Sequence, residues 1–437
     1  MSEVLTLEDQ LLADFDGWLD QHYTDASSLK AIKKAGAETF KSLGLPQRKS
    51  EAYKYTPITK TIEKNFDLDT VENTSTLSKS DCEAKFYKEE DANHLVFVNG
   101  LFVEDYSKIV SASSDLTIRV LDEQSINEHP ELKDNLGKVN GSQIDPFAAL
   151  NLAYFNQGVF IKSAKNTDNK NTYIYQFVDA SASQAVIFPR LFVYGSTGSR
   201  TRVYEKTFFN GDKNTLNISI VESMVEANAE VRFTKLQNYE INSYAVEGIY
   251  AHQAKDSRFY TNTFSFDGAV IRNNVYINID AENCEGHMNG LYQLSGKSHV
   301  DNNTSVDHLK PHSYSNELYK GILDEHSRGV FNGKIYVRPD AQKTNAFQSN
   351  NNILLSDDAT INTKPQLEIW ADDVQCSHGC TTGQLDEDAI FYLQARGVNK
   401  PQAKALLLNA FANEALNELQ NDLMKEEIEE IILNKLK

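Results

Sequence analysis

The stretch Asp372-Asp373-Val374-Gln375-Cys376-Ser377-His378-Gly379-Cys380 concentrates the side chains best suited to chemistry. On an extended strand residues two apart point the same way, so Cys376, His378 and Cys380 would share one face. Thiolate and imidazole are soft-metal ligands, and the preceding carboxylates would orient the imidazole. A closed structural zinc site takes four ligands, usually in two pairs. The sequence has no second Cys/His pair at that spacing. Three readings stand side by side: a metal site complete in this chain, a partial or shared site, and a buried turn with inert thiols. A Cys/His nucleophile lacks the glycine run that would build an oxyanion hole.

Other motifs carry less. Gly290-Leu291-Tyr292-Gln293-Leu294-Ser295-Gly296-Lys297-Ser298 resembles a phosphate-binding loop, with one residue too many between its glycines. Strand-like sequence surrounds it where a helix should follow, so it reads as strand and turn. Gly195-Ser196-Thr197-Gly198 lacks the required lysine and reads as a turn. His287, His299, His308, His312 and His326 lie in strand-rich sequence, and Pro311 prevents a helix from pairing His308 with His312. They read as structural or surface histidines. The doublets Asp357-Asp358 and Asp372-Asp373 would suit calcium or acid–base work in a polysaccharide-cleaving β-helix. Adjacent strand residues face opposite ways, so neither doublet is a catalytic pair by itself.

These residues need elements to position them. From about residue 170 to 370 the hydrophobic period is two. Leu216/Ile218/Ile220, Val231/Phe233, Phe264/Phe266 and Val275/Ile277/Ile279 each put alternate residues on one face. Short strands with no helical pattern between them predict a large sandwich, a barrel or a β-solenoid. Asn273-Asn274, Asn302-Asn303 and Asn350-Asn351-Asn352 read as turns that tolerate left-handed φ and stack amides into ladders between coils. That favours a parallel β-helix. Just before it, Leu95–Val98 and Leu101–Val103 flank Asn99-Gly100, a hairpin signal.

Helical sequence lies on both sides. Thr6 and Asp9 make a capping box, followed by one stripe of Leu11, Phe15, Trp18 and His22. A second helix is predicted over Ser28–Leu43, with Ala31, Ala35 and Phe40 inward and Gly44 as its stop. Residues 47–57 read as a connector and 66–93 as loop-rich. In the tail Asp386 caps Glu387–Ala395, and Gly397 stands at the C′ position. After Pro401 a long final helix runs through Leu436, completing a hairpin whose apolar face needs cover from the solenoid end or a partner. The domains expected are 1–93 (helical, with connector), 94–383 (β core) and 384–437 (helical).

The chain has 437 residues, length for two to four average domains. Its 62 Asp+Glu against 43 Lys+Arg give a net charge of −19, which argues against nucleic-acid and anionic-membrane partners. No stretch approaches the roughly 18 apolar residues of a membrane span. Met1-Ser2-Glu3-Val4 does not read as a secretory signal. Four cysteines (Cys82, Cys284, Cys376, Cys380) point to a reducing cytoplasm. Glycine and proline are scarce, which excludes collagen-like and linker-dominated chains.

The segment Pro365–Asp386 around Cys376-Ser377-His378-Gly379, with Ala389–Gly397 after it, resembles the SufB/SufD family of the SUF iron–sulfur cluster assembly system. Within that family it looks like the SufD type. Ser327–Ile335, Ala341–Asn345 and Asn352–Ser356 resemble the shared family core, and Gly44–Thr56 resembles a SufD-type amino-terminal motif. The resemblance implies a mainly β fold: a right-handed parallel β-helix flanked by N- and C-terminal α-helical domains. It implies a non-enzymatic scaffold, paired with SufB through late β-helix strands and docking the ATPase SufC on its C-terminal helices. For the isolated chain a homodimer is a further expectation. It further implies that His378, then Cys376, serves a transient iron–sulfur cluster shared with SufB. No cofactor would be held stably by this chain alone; the resemblance associates a flavin with the whole complex, and the sequence has no dinucleotide-binding fingerprint. Cys380 departs from the small residue expected there. Two rivals remain: a SufB-like scaffold with its own cluster ligands, and a β-helix polysaccharide lyase or hydrolase.

Overall fold

The period-two sequence coils into a two-sheet parallel β-solenoid of about eight turns, with helices towards both termini, seen in the computed structural model. The structure describes residues 6–13, 15–47, 49–67, 74–139 and 144–436. Met1–Val4, Arg48 and the 68–73 part of the loop-rich stretch lie outside the described residues. Successive strands alternate between the sheets, so each pairs in parallel with the strand one coil away. In one sheet, sheet A, Gln375–Gly383 lies on Asn345–Leu354, which lies on Tyr314–Leu323. In the other, sheet B, Thr360–Ile369 lies on Arg328–Val337, which lies on His299–His308.

Alternation assigns every strand residue to the lumen or the outer wall. Val231, Phe233, Val275, Ile277 and Ile279 fill the lumen with Met288, Tyr292, Tyr319 and Phe331. Leu216 and Ile218 share a face as their spacing predicts, but that face is the outer wall of sheet B. It is covered by Phe40, Ile58, Ile62, Phe147 and Leu150 of the N-terminal region. Phe264 and Phe266 lie on the outer wall of sheet A, under Leu408, Met424, Ile428 and Ile432 of the tail. Both outer walls are thus apolar and helix-covered.

The asparagines are the main correction to the sequence reading. Asn273-Asn274, Asn302-Asn303 and Asn350-Asn351-Asn352 lie inside strands, not in turns. The ladder expectation holds there. Asn273 Nδ2 donates to Asn302 Oδ1 at 2.9 Å, and Asn303 Nδ2 to Asn274 Oδ1 at 3.4 Å. An in-register amide column satisfies buried polar groups coil after coil, which a turn would leave to water. Left-handed turn positions fall instead on Asn166, Asn228, Asp256, Asn283, His312, Glu325 and Lys343. Gly290, in the phosphate-loop lookalike, sits in the strand Glu285–Leu294. A Cβ there would lie 2.2 Å from Tyr319 Cε1, so this glycine makes room for a lumen ring.

The hairpin at Asn99-Gly100 forms, with φ of 46° and 78° at its two corners. The first N-terminal helix does not run through as one stripe: Leu7–Leu11 and Phe15–His22 are separate helices. The Phe15 N–H turns to Leu12 O at the break. Ser28–Leu43 forms and ends at Gly44, but Ala31 and Ala35 are exposed. Its buried face is Leu29, Lys33, Gly36, Ala37 and Phe40. The reason is close backbone approach: a Cβ on Gly36 would come within 2.9 Å of Ala153 N, in a helix Pro146–Tyr154 that sequence reading missed. The tail also differs. Helix Lys400–Asn413 ends, and Asn421 caps a separate helix, Asp422–Lys435. These helices are covered by the wall of the solenoid rather than its end.

Candidate functional site at the open end of the solenoid

Among the described residues Gln375–Gly383 is the last strand of sheet A and Thr360–Ile369 the last of sheet B, so there each has one free edge. Ser377 to Gly383 are exposed, in contrast to the buried coils before them. His378 pairs in register with Gln348, and Gln348 with Glu317. Gln348 and Glu317 are buried lumen residues, so the parity places Cys376, His378 and Cys380 on the lumen side of an uncovered coil.

The sequence expectation of one shared face therefore holds. Residues two apart on a strand are separated by about 6.8 Å, so the three side chains form a row and not a cage. Consistently, no group of three His, Cys, Asp or Glu is placed to hold a metal ion among the described residues. Cys376 is half-buried beside Ile335, Val337 and Ala346, and burial pushes its thiol pKa up. The Cys380 thiol donates to Thr363 Oγ1 at 3.2 Å, bridging the two final strands. His378 is exposed. The carboxylates expected to orient it do not: Asp373 pairs with Lys343 on the preceding turn. An imidazole and two thiols in an open row supply ligands but leave coordination positions for other donors.

Beneath this row the lumen is polar, which sequence reading missed. Gln348 Nε2 donates to Glu317 Oε2 at 2.5 Å. Asn350 Nδ2 donates to Tyr292 Oη at 3.0 Å, and Asn352 Nδ2 to Asn350 Oδ1 at 2.8 Å. Burial raises the Glu317 carboxyl pKa from 4.5 to about 7. The available signal was parity: Glu317 is in step with Tyr319 and Leu323, two lumen residues of its own strand. A folded-state pKa above the unfolded one means that native Glu317 keeps its proton where the unfolded chain has lost it. This group therefore opposes folding increasingly as pH rises from about 4.5 to about 7. Glu317→Gln is expected to gain about 3 kcal/mol over the parent at pH 8 and almost nothing at pH 4.5. Denaturant titrations at both pH values check this; equal differences at the two would refute it.

The other motifs resolve structurally. His308 is buried and its pKa lowered to about 3 by burial, while its Nε2 lies 2.9 Å from Ser315 Oγ. His287 stacks on Tyr260 at 4.4 Å. His312 takes a left-handed turn position, and His326 is exposed. Asp357-Asp358 sits in a turn, and Asp358 lies 3.5 Å from His326. Residues 51–56 of the amino-terminal motif clamp the outer wall of sheet B. Arg272 Nη1 donates to Ala52 O at 2.9 Å, Thr56 Oγ1 to Asp301 Oδ2, and Glu51 pairs with Lys364 of the last coil.

A parallel β-solenoid clad in helices, whose last coil leaves two strand edges and a ligand row uncovered, has the form of an assembly subunit. Comparison with known proteins makes the class specific. Residues 177–411 match the family model "SUF system FeS cluster assembly, SufBD core domain", and residues 9–172 match "SufBD protein N-terminal region". The chain is 31% identical to the iron–sulfur cluster assembly protein SufD of Escherichia coli, covering 88% of each chain. It is 30% identical to the SufBD family protein slr0076 of Synechocystis, covering 91% of this chain and 88% of that one. With the chloroplastic protein ABCI7 of Arabidopsis thaliana it shares 25% identity over 94% of this chain. The chain belongs to the SufBD family and is SufD-like. This membership displaces the polysaccharide-cleaving rival.

Proposed function

We propose that the chain is a non-enzymatic scaffold subunit of the SUF system that joins a SufB-type paralogue through its last coil and carries a SufC-type ATPase on its tail. The observation that carries this reading is the open row of Cys376, His378 and Cys380 at an uncovered lumen end. A row that offers ligands without closing around a metal suits a cluster completed by a second chain. The cluster is cargo: His378, with Cys376 second, would hold it while the paralogue supplies the remaining donors. The thiols call for a reducing compartment such as the cytoplasm. A flavin in the complex is assigned no residue of this chain.

Edge chemistry favours sheet A for the pairing. Natural proteins blunt exposed strand edges with proline and charge. Thr360–Ile369 carries Lys364, Pro365 and Glu368. Its Thr360 N–H bonds inward to Ser327 O, so alternation places the N–H that Pro365 lacks on the free side. Gln375–Gly383 has no proline and no Asp, Glu, Lys or Arg. Its free donors and acceptors are ready for a partner strand, and the same edge would serve a homodimer of the isolated chain.

The tail supports ATPase docking. Helices Lys400–Asn413 and Asp422–Lys435 are tied to sheet A by Lys320–Glu414, Lys206–Glu427 and Lys435–Asp267. Beyond that contact, Phe391 and Leu406 remain 71% and 53% exposed. A nucleotide-driven movement on this apolar face would act on the sheet that ends at His378. Co-expression with tagged SufB-type and SufC-type partners tests the reading. All three should co-purify, and Phe391→Asp with Tyr392→Asp should lose the ATPase, by at least about tenfold in affinity, while keeping the paralogue. Full ATPase capture by that variant would refute the docking face.

A further inference from the structure

A cleft of about 530 Å³ opens on the outer wall of sheet B, away from the ligand row. Its volume falls within the range of small-molecule sites, about 300–1,000 Å³. Tyr55, Thr56 and Pro57 of the connector, with Thr61 of the helix Ile58–Asn65 that follows, form one side. The other side is built by repetition of the coil. His299 and Arg328 pair in register on neighbouring strands, and Lys297 and His326 stand two residues before them.

The lining is chemically one-sided. Among the described residues Lys297, His299, His326 and Arg328 contribute to it and no Asp or Glu does, although acidic residues outnumber basic ones 62 to 43 in the chain. Neighbouring carboxylates are engaged elsewhere. Asp301 is held by Arg272 and Thr56, and Glu325 accepts from the Gly296 N–H at 2.6 Å. Asp358 reaches only His326, at 3.5 Å. Lys297 and Arg328 are exposed and have no ion-pair partner among the described residues. His299 is fixed from the connector side, its Nε2 2.8 Å from Thr56 Oγ1. Because Thr56 donates to Asp301, it accepts from the His299 N–H. The helix Ile58–Asn65 starts here without a side-chain cap, adding the positive end of its dipole. Tyr55, Pro57, Ala269 and Val270 supply an apolar wall beside this charge.

We propose that this cleft binds a small phosphate monoester, its phosphate held by Lys297 and Arg328 and its apolar body lying against Tyr55, Pro57 and Val270. Two cations without an ion-pair partner among the described residues match a dianion better than a single carboxylate. The apolar wall distinguishes an organic phosphate from the free ion. The site lies on this chain alone and stands independently of the scaffold reading.

Isothermal titration calorimetry of the full chain in about 0.1 M salt, a Debye length of about 10 Å, tests the proposal with phenyl phosphate, inorganic phosphate and benzoate. Phenyl phosphate should bind saturably at one site per chain. Inorganic phosphate and benzoate should each bind at least about tenfold more weakly. Lys297→Ala with Arg328→Ala should weaken phenyl phosphate at least about tenfold with an unchanged thermal midpoint, since both side chains are exposed. Absence of saturable phenyl phosphate binding, or equal affinity in the double variant, would overturn the site. Equal affinity for inorganic and phenyl phosphate would overturn the organic ligand.

Discussion

Replacing His378 by alanine is expected to reduce cluster assembly by the co-purified complex at least about tenfold, the scale on which metal-site residues act. The fold should be indifferent to the change. His378 is exposed on the outermost strand, and its register partner Gln348 already bonds to Glu317 below it. Exposed substitutions of this kind usually stay within about 0.5 kcal/mol. Assembly is read anaerobically from bound iron and sulfide and from visible absorbance, with complex integrity checked on the same sample. Cys376→Ala should cost less, because that thiol is half-buried and its raised pKa disfavours thiolate at neutral pH. Undiminished assembly by an intact His378→Ala complex would remove this side chain from the mechanism.

The second large effect is expected at the strand edge. Gln375 N–H bonds inward to Thr344 O, so alternation sends the N–H of Thr382 outward to the free side. Thr382→Pro removes one outward donor and no donor of the solenoid's own ladder. Its expected result is an unchanged thermal midpoint for the lone chain with about ten- to hundredfold weaker capture of the SufB-type paralogue. That corresponds to one lost pairing bond plus an acceptor left unsatisfied on the partner. Parent-like capture would mean that the partner does not add to this edge.

Much of the architecture was readable because strand parity is a strict rule. Val231/Phe233 and Leu216/Ile218 were correctly placed two by two. Parity alone does not say which side is lumen, since both outer walls carry large apolar clusters of their own. Asparagine pairs were misread as turns because Asn suits both left-handed corners and buried amide ladders; only stacking of successive coils decides between them. The helix Pro146–Tyr154 was missed because it is buried on all sides and shows no amphipathic stripe. For the site, the shared face of Cys376, His378 and Cys380 followed from spacing. Its position on an uncovered coil, and Glu317 and Gln348 beneath it, required the register between strands some 30 residues apart.

On the proposed function this chain offers part of a cluster site and a paralogue completes it. Anaerobic reconstitution with iron and sulfide, on the lone chain and on its pair with a SufB-type protein, tests this most directly. The expected result is well under one cluster per lone chain by iron analysis and Mössbauer spectroscopy, and a stoichiometric cluster on the pair that weakens in His378→Ala. A full, stable cluster on the lone chain would contradict it and restore the reading of a self-sufficient scaffold with its own ligands.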